Sequence, residues 1–416
     1  MSAETVTISS LGAKGDGVAH GAKGPIFVPF ALPGETVAVA RVKNEGTIMS
    51  FASTSPDRIA PACKHFGPDG VGGTCGGCSL QHLAPAPYNA FKRQILIDAL
   101  KSKGIEAPVG EIFEAHPHQR RRLVFSARRR DNDMVIGFMQ AETHHVVVVE
   151  ECPIASPGLV SHLETLKILA RAAGADHFRI TVTETMTGLD ISLDGLRGGL
   201  ADRARRDVTN AVLKLKGIAR VSANGEIVIE PHKPLLDFDG ARVVLPPGGF
   251  TQATLEAEAH MASLAAEHIG KAKKVADLFA GVGTFALRLG RKMSVHAVES
   301  DEKAIKALDF AARNTQGLKP VTAERRDLFR RPMMAFELKG YDAVVFDPPR
   351  AGAEEQCREL AKSQVKKLVA VSCNPLTLAR DLSILIAGGY RVERVTPIDQ
   401  FLWSPHVEAV AVLTKG

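Results

Sequence analysis

From about residue 241 the chain alternates short, almost wholly apolar runs with longer amphipathic stretches, and no other feature limits its fold so tightly. The runs cover 274–279, 295–299, 343–346, 368–372, 391–396 and 407–413. A strand that is apolar on both faces must be covered on both, and helices in the intervals supply that cover. The pattern therefore predicts a mostly parallel, doubly wound α/β sheet.

Upstream the rhythm is different. Over residues 1–55, short β-branched runs such as Val6 to Ile8 and Thr36 to Val42 alternate with Gly12, Gly15, Gly17, Gly21, Gly24 and Gly34. That spacing suits a small β-barrel of the oligonucleotide-binding type. A turn-rich linker, STSPDRIAP, leads into a mixed α/β section over 56–240. Its expected elements are a helix over 88–101, two strands around an Asp-Asn-Asp turn, a third strand at HHVVVVEE, a hairpin over 177–195, a basic helix over 198–215 and two strands over 218–230. A chain of 416 residues has room for two to four domains at ~100–200 residues each. The expected division is 1–55, 56–240 and 241–416.

Apolar residues make up 45% and charged residues 24%, near the soluble globular average. That excludes a disordered chain and a disulfide-dense miniprotein. No run approaches the ~20 apolar residues of a membrane span, and MSAETVTISS lacks the pattern of an export signal, so the expectation is a cytoplasmic protein. The net charge is +6, but the arginines are bunched. Arg120, Arg121, Arg122, Arg128, Arg129 and Arg130 fall within eleven positions, and Arg325, Arg326, Arg330 and Arg331 within seven. Such clusters read either as footprints for phosphates or as solvated faces.

Four segments carry chemistry. DLFAGVGTF follows the first apolar run; Gly281 and Gly283 permit a tight turn, and Glu299 ends the next run 22 positions after Asp277. Together they point to a bound nucleoside, with the acid on its ribose. The missing third glycine favours S-adenosylmethionine over a dinucleotide. In Asp347-Pro348-Pro349-Arg350 the prolines end a strand and leave the carboxylate at its rim. Cys373, in VSCNP, leaves a buried strand just before a helix. The helix N-terminus and nearby arginine would favour its thiolate, although a lone cysteine is more often a core residue. Glu408 stands at the start of the last run, as a base near the thiol or as a solvated residue. Taken together, a methyl donor, a rim Asp, a Cys and a late Glu fit methylation of a carbon that must first be made nucleophilic, such as carbon 5 of uracil.

On these motifs the sequence resembles the bacterial RNA (uracil-5-)-methyltransferase family, and within it the iron–sulfur 23S ribosomal RNA enzymes. DLFAGVGTF, FDPPRAG and VSCNPLTLARDL are similar to the family's donor-binding, catalytic-Asp and nucleophile motifs, and LGAKGDGVAH with IFVPFALPGETV to its TRAM barrel. The resemblance implies a Rossmann-like S-adenosylmethionine-dependent catalytic domain. It makes Cys373 the nucleophile, Glu408 the base that takes the carbon-5 proton, and Asp347 a group facing both donor and base. Gln252, Phe279, Gly281, Gly283, Thr284, Glu299, Asp327 and Asp347 form the candidate donor site. Cys63, Cys75, Cys78 and Cys152 match the four ligands of a [4Fe–4S] cluster, with zinc the competing metal on chemistry alone. Eleven residues separate Cys63 from Cys75, about twice the usual number, and Thr254 and Thr284 stand where Asn is common.

The implied partner is a single-stranded loop of 23S ribosomal RNA, gripped by the 120–122 and 128–130 arginines on paired strands, and the protein is expected to be a monomer. Alternatives are a tRNA T-loop target and a non-catalytic iron–sulfur RNA-binding assembly factor. Cytosine-5 methylation would need a cysteine where Arg350 stands. Amino-group methylation would need an aromatic there and would leave Cys373 without a task.

Overall fold

The computed structural model describes residues 2–21, 24–140 and 143–416. Three large sheets follow one another along the chain, with a two-stranded hairpin before the last. The first is six-stranded, in the order Ser2–Thr7, Thr36–Val42, Glu45–Ser53, Gly24–Val28, Gly17–Gly21, Ser10–Leu11. Val6 and Ile8 from one end of this order share a core with Ala19, Ile26, Val37 and Val39, so the sheet curls around its own inner face.

The second sheet has seven strands, with Arg122–Arg130 near its middle, flanked by His177–Thr185 and Asp133–Met139. Leu163–Ala173 and Asp202–Lys214 are its helices, burying Leu166, Leu169, Val208 and Val212 against it. The second of these helices makes the crossover between the parallel strands Gly188–Asp194 and Ile218–Ala223.

The third sheet also has seven strands. Its order is Val321–Arg325, Ser294–Glu299, Lys274–Leu278, Ala343–Phe346, Lys367–Ser372, Glu408–Lys415, Tyr390–Ile398. Five are parallel, and Glu408–Lys415 runs antiparallel to both neighbours. Val275, Ala276, Val344, Val345 and Leu368 to Val371 are buried, as expected of strands covered on both faces. The sequence reading missed Val321–Arg325, an edge strand whose half-exposed residues give no apolar run.

One segment lies elsewhere than its place in the sequence suggests. The helix, Pro85–Lys101, starts three residues before its expected position, with Pro at its first turn, where the missing N–H has no role. It does not pack on the middle sheet. Leu96, Ala99 and Leu100 join the core under the third sheet, and Val109 and Phe113 bridge to Val395 and Ile398 on its edge strand. Helical periodicity reveals a buried face but not which sheet will bury it.

Candidate active site

The third sheet grows outward in both directions from the adjacent strands Lys274–Leu278 and Ala343–Phe346. At such a reversal, loops leave in opposite directions and a crevice opens at the carboxyl ends of the strands. Phe279, Glu299, Asp347 and Cys373 all lie at or just past those ends. The antiparallel strand begins where its parallel neighbours finish, so its first residue reaches the same rim. Ser372 pairs with Ala409, and Ile398 with Glu408, which sets Glu408 beside the exit of Cys373.

A continuous hydrogen-bonded chain links the two carboxyls. Gln252 Nε2 donates to Asp347 Oδ2 at 2.8 Å, Gln400 Nε2 donates to Gln252 Oε1 at 2.9 Å, and Gln400 Nε2 also donates to Glu408 Oε2 at 2.7 Å. Gln252, Gln400 and Glu408 are buried. Burial pushes both carboxyls up, Asp347 to about 7 and Glu408 to about 8, with Asp347's charge adding to the rise at Glu408. The amides of Gln252 and Gln400 oppose the rise at their respective partners.

Cys373 is half-buried at the foot of the helix Pro375–Ala387, which Asn374 caps by accepting from Leu376 N–H. The expected thiolate is not favoured. Burial, then Glu408 and Asp347, push the thiol up to about 11, against a smaller lowering by Arg350. Desolvation and two acidic neighbours outweigh one guanidinium and a helix terminus. Arg350 instead faces His406, with Nη2 3.0 Å from Nδ1.

The donor loop bears the marks of a ligand cradle. Phe279 holds φ 61°, unusual for a bulky residue and often a sign of function, and its ring lies 5.5 Å from that of Phe329. A Cβ at Gly281 would meet nothing within 4 Å, so open space faces the backbone there. At Gly283 it would strike Leu287 at 2.9 Å, with φ at 103°. Glu299 accepts from the N–H groups of Gly281, Ser300 and Asp301 at 2.9, 2.6 and 2.8 Å, which aims its carboxylate at the loop. Asp277 is fully buried beneath the loop, and burial holds its carboxyl well above the usual range, opposed by the N–H of Ala286. Asp327 accepts from Phe329 N–H and so holds the turn that brings Phe329 to Phe279. Thr284 contributes its carbonyl to Arg288, and Thr254 caps Leu255–Ile269 by accepting from Ala257 N–H. These residues fit a nucleoside donor.

Cys63, Cys75, Cys78 and Cys152 line one cavity of about 240 Å³. Burial pushes Cys78 to about 12 and Cys152 to about 11, and the neighbouring thiols raise both further. Among the described residues, no three His, Cys, Asp or Glu side chains converge tightly enough to hold a single ion. The loop that carries Cys78 also touches the rim. Ser79 and Leu80 N–H both donate to Trp403 O, and Trp403 N–H donates to Tyr88 Oη at 2.8 Å. Asp399, next to Gln400, is held by Tyr88 Oη at 2.6 Å and Lys92 Nζ at 2.5 Å, all three buried.

The arginines divide, and the expectation of paired strands is corrected. Arg122, Arg128, Arg129 and Arg130 lie on one strand, with Arg120 and Arg121 just before it, so the two clusters sit at opposite ends. Arg128, Arg129 and Arg130 are exposed. Arg121 is buried and cannot grip an external phosphate: it bonds Glu258 Oε2 at 2.5 Å and Gln252 O at 3.1 Å. Arg288 completes this cluster from the other side of Glu258, at 2.9 Å. Arg120 lies over the Phe401 ring, 5.9 Å from its centroid, and Arg122 beside the exposed Phe250 ring at 6.0 Å. Position along the chain, not the alternation of faces, separates them: Arg121 lies just before the strand, against Glu258, whereas the strand's far end leaves three consecutive arginines in solvent.

Sequence reasoning missed Gln400, Asp399, Lys92, Tyr88 and the Glu258–Arg121–Arg288 cluster. The two faint signals were a basic and an acidic residue, Lys92 and Glu258, inside otherwise amphipathic helices.

Fold and rim together define a class: an α/β transferase with a nucleoside donor cradle beside a thiol and two carboxyls. Residues 211–416 match the model of the tRNA (uracil-5-)-methyltransferase family. The chain is 63% identical over 417 residues to an uncharacterized RNA methyltransferase of Agrobacterium fabrum, covering all of both chains. It is 31% identical to the 23S rRNA (uracil(1939)-C(5))-methyltransferase RlmD of Alkalilimnicola ehrlichii, over 99% of this chain and 96% of that one. The Pyrococcus abyssi tRNA (uracil-54, C5)-methyltransferase, solved with S-adenosyl-L-homocysteine, shares the fold with a TM-score of 0.76 at 24% identity, over 99% of each chain. The chain belongs to the RNA (uracil-5-)-methyltransferase family, whose enzymes use S-adenosylmethionine.

Proposed function

We propose that this chain methylates carbon 5 of a uridine in 23S ribosomal RNA, with Cys373 as nucleophile and Glu408 as the base that completes the reaction. One observation carries the reading: Cys373, Asp347 and Glu408 leave three adjacent strands at one rim, with the carboxyls joined by two buried amides.

In this scheme Cys373 Sγ bonds to carbon 6 of the uracil, which makes carbon 5 nucleophilic. The donor supplies an electrophilic methyl group, which carbon 5 takes. Glu408 then removes the carbon-5 proton, the bond to Sγ breaks, and the thiolate is restored. The thiol, whose titration burial and the two carboxyls raise, gives its proton to solvent as the bond to carbon 6 forms, and Glu408 stays free to take the carbon-5 proton. Gln252, Phe279, Gly281, Gly283, Thr284, Glu299, Asp327 and Asp347 would bind the donor.

Cys63, Cys75, Cys78 and Cys152 would hold a [4Fe–4S] cluster. All ligands of a single zinc must lie within ~2.3 Å of one point, whereas thiols ringing a cavity suit a polynuclear group. Methyl transfer consumes no electrons, which favours a structural role. We further assign 1–55 as a TRAM-type RNA-binding barrel and 56–240 as the cluster-bearing unit with Arg128 to Arg130 facing RNA phosphates, apart from the segment 85–113, which packs on the third sheet, and 241–416 as the catalytic domain of a monomeric cytoplasmic enzyme. A base paired within a helix could not reach Cys373 unless flipped out, so the target is a single-stranded loop.

A tRNA uridine is the second reading, favoured by the full-length likeness to the Pyrococcus abyssi fold. The full-length identity to a 23S rRNA enzyme weighs for ribosomal RNA. The deciding experiment uses 23S fragments and tRNA carrying 5-fluorouridine, incubated with protein and S-adenosylmethionine. Fluorine cannot leave as a proton, so a denaturation-resistant adduct is expected on one ribosomal fragment and absent with Cys373→Ala. An adduct on tRNA alone would transfer the function there, and none on either RNA would favour a binding protein.

A further inference from the structure

Gln400 is buried between the two carboxyls, and the backbone decides which way its amide points. The N–H of Ala253 donates to Gln400 Oε1 at 2.8 Å, so the carbonyl end must face Ala253 and the NH₂ end must face the site. Both hydrogens of Nε2 are then committed, one to Gln252 Oε1 and one to Glu408 Oε2. Gln252 is oriented in turn: its oxygen receives Gln400, so its own NH₂ must address Asp347 Oδ2. One peptide N–H therefore sets the polarity of the whole chain.

We infer that Gln400 is a positioning residue which dictates the oxygen on which each carboxyl carries its proton: Glu408 Oε1 and Asp347 Oδ1. An oxygen facing an amide NH₂ meets a donor and no acceptor, so a carboxyl O–H cannot point that way. The oxygens turned from the amides are the ones left to exchange protons with thiol and substrate. This rests on the proposed role of Glu408 as base.

Gln400 is itself held by its neighbour, since the Asp399 carboxylate takes hydrogen bonds from Tyr88 and Lys92 on the helix Pro85–Lys101. The charged and titratable groups around the pair are Cys373 and Arg350, with Asp277 behind Asp347 and His406 against Arg350. Among the described residues, none of them donates a hydrogen bond to Glu408 Oε2, and Gln400 is the group there that pulls the Glu408 carboxyl back toward ionisation.

The test separates the last step from the earlier ones. With ribosomal RNA carrying ordinary uridine, tritiated at carbon 5, the lifetime of the methylated covalent adduct and the rate of tritium release are followed against pH. Gln400→Met keeps the shape and removes the donors. The adduct should still form, resolve about tenfold more slowly at neutral pH, and show an acidic limb about one pH unit higher, tenfold corresponding to one unit. Adduct lifetime and limb equal to wild type, in a protein of unchanged melting temperature, would overturn the inference. Should Gln400→Met fail to fold, Gln400→Glu retains an acceptor for Ala253 N–H while losing the paired donors; slow resolution is again expected, and wild-type resolution again overturns it. If wild-type protein forms no adduct with 5-fluorouridine RNA of either kind, the failure belongs to the proposed function.

Discussion

The rim and the cysteine-lined cavity both bury thiols, and burial raises the titration of Cys373, Cys78 and Cys152 alike. Their surroundings differ. Around Cys373 stand two carboxyls whose oxygens are assigned by buried amides; around Cys78 and Cys152 stand mainly other thiols. A thiol among bases is equipped to lose its proton to a reaction, whereas a thiol among thiols is equipped to lose it to a metal. The protonation state of the isolated side chain does not tell them apart; the company it keeps does.

The largest expected effect breaks this comparison outright. Cys373→Ala should abolish methylation, by at least about 10⁴-fold, with iron content and melting temperature little changed. Cys152→Ser should do the reverse at first instance, losing iron and several kcal/mol of stability while Cys373 remains in place. Methylation assays, iron analysis and thermal melts on both proteins check the pair; matching losses in both would mean the regions are not separable.

A second prediction concerns pH. Asp347 and Glu408 titrate higher in the folded chain than their usual 3.8 and 4.5, so the folded state binds more protons than the unfolded one between those values and about 7–8. The contribution to stability is therefore complete at acid pH and is lost as pH rises through 7–8. Unliganded protein should lose on the order of 6 kcal/mol from this pair as pH rises from about 5 to 8. Glu408→Gln should flatten the profile, and no cysteine of the cavity should alter it; denaturant melts across that range measure both.

The smallest expected effect comes from the exposed arginines. Arg128→Ala with Arg130→Ala should leave stability and both thiol regions unchanged, yet weaken RNA binding and reduce the magnitude of its salt slope by about two. An unaltered slope would make that end of the strand a solvated face.

Much of this arrangement was legible. Asp347, Glu299 and Cys373 end apolar runs, and a run that ends in a polar residue marks a strand delivering that residue to a rim. Glu408 was visible only as a candidate, because its place depends on the last strand running backwards between two others. Gln400 carried no local signal: its partners lie 148 and 8 residues away, and a glutamine in a loop is unremarkable until they converge. Arg121 was misjudged for the opposite reason. A cluster of like charge looks like a surface, yet this member, just before the strand, is held inward by Glu258 and the 252–253 backbone. The site was thus read well where it depends on strand ends and poorly where it depends on which distant elements meet.

Trp403, the sole tryptophan of the chain, adopts φ 58° at the point where the loop after Cys78 touches the segment that carries Gln400. Its indole is only partly covered. The molecule therefore contains a single indole, which can be excited selectively at wavelengths its three tyrosines do not absorb, at the seam between its two thiol-bearing regions. Emission from this one ring would report the seam closing during folding or loosening on loss of the cysteine loop, without any label.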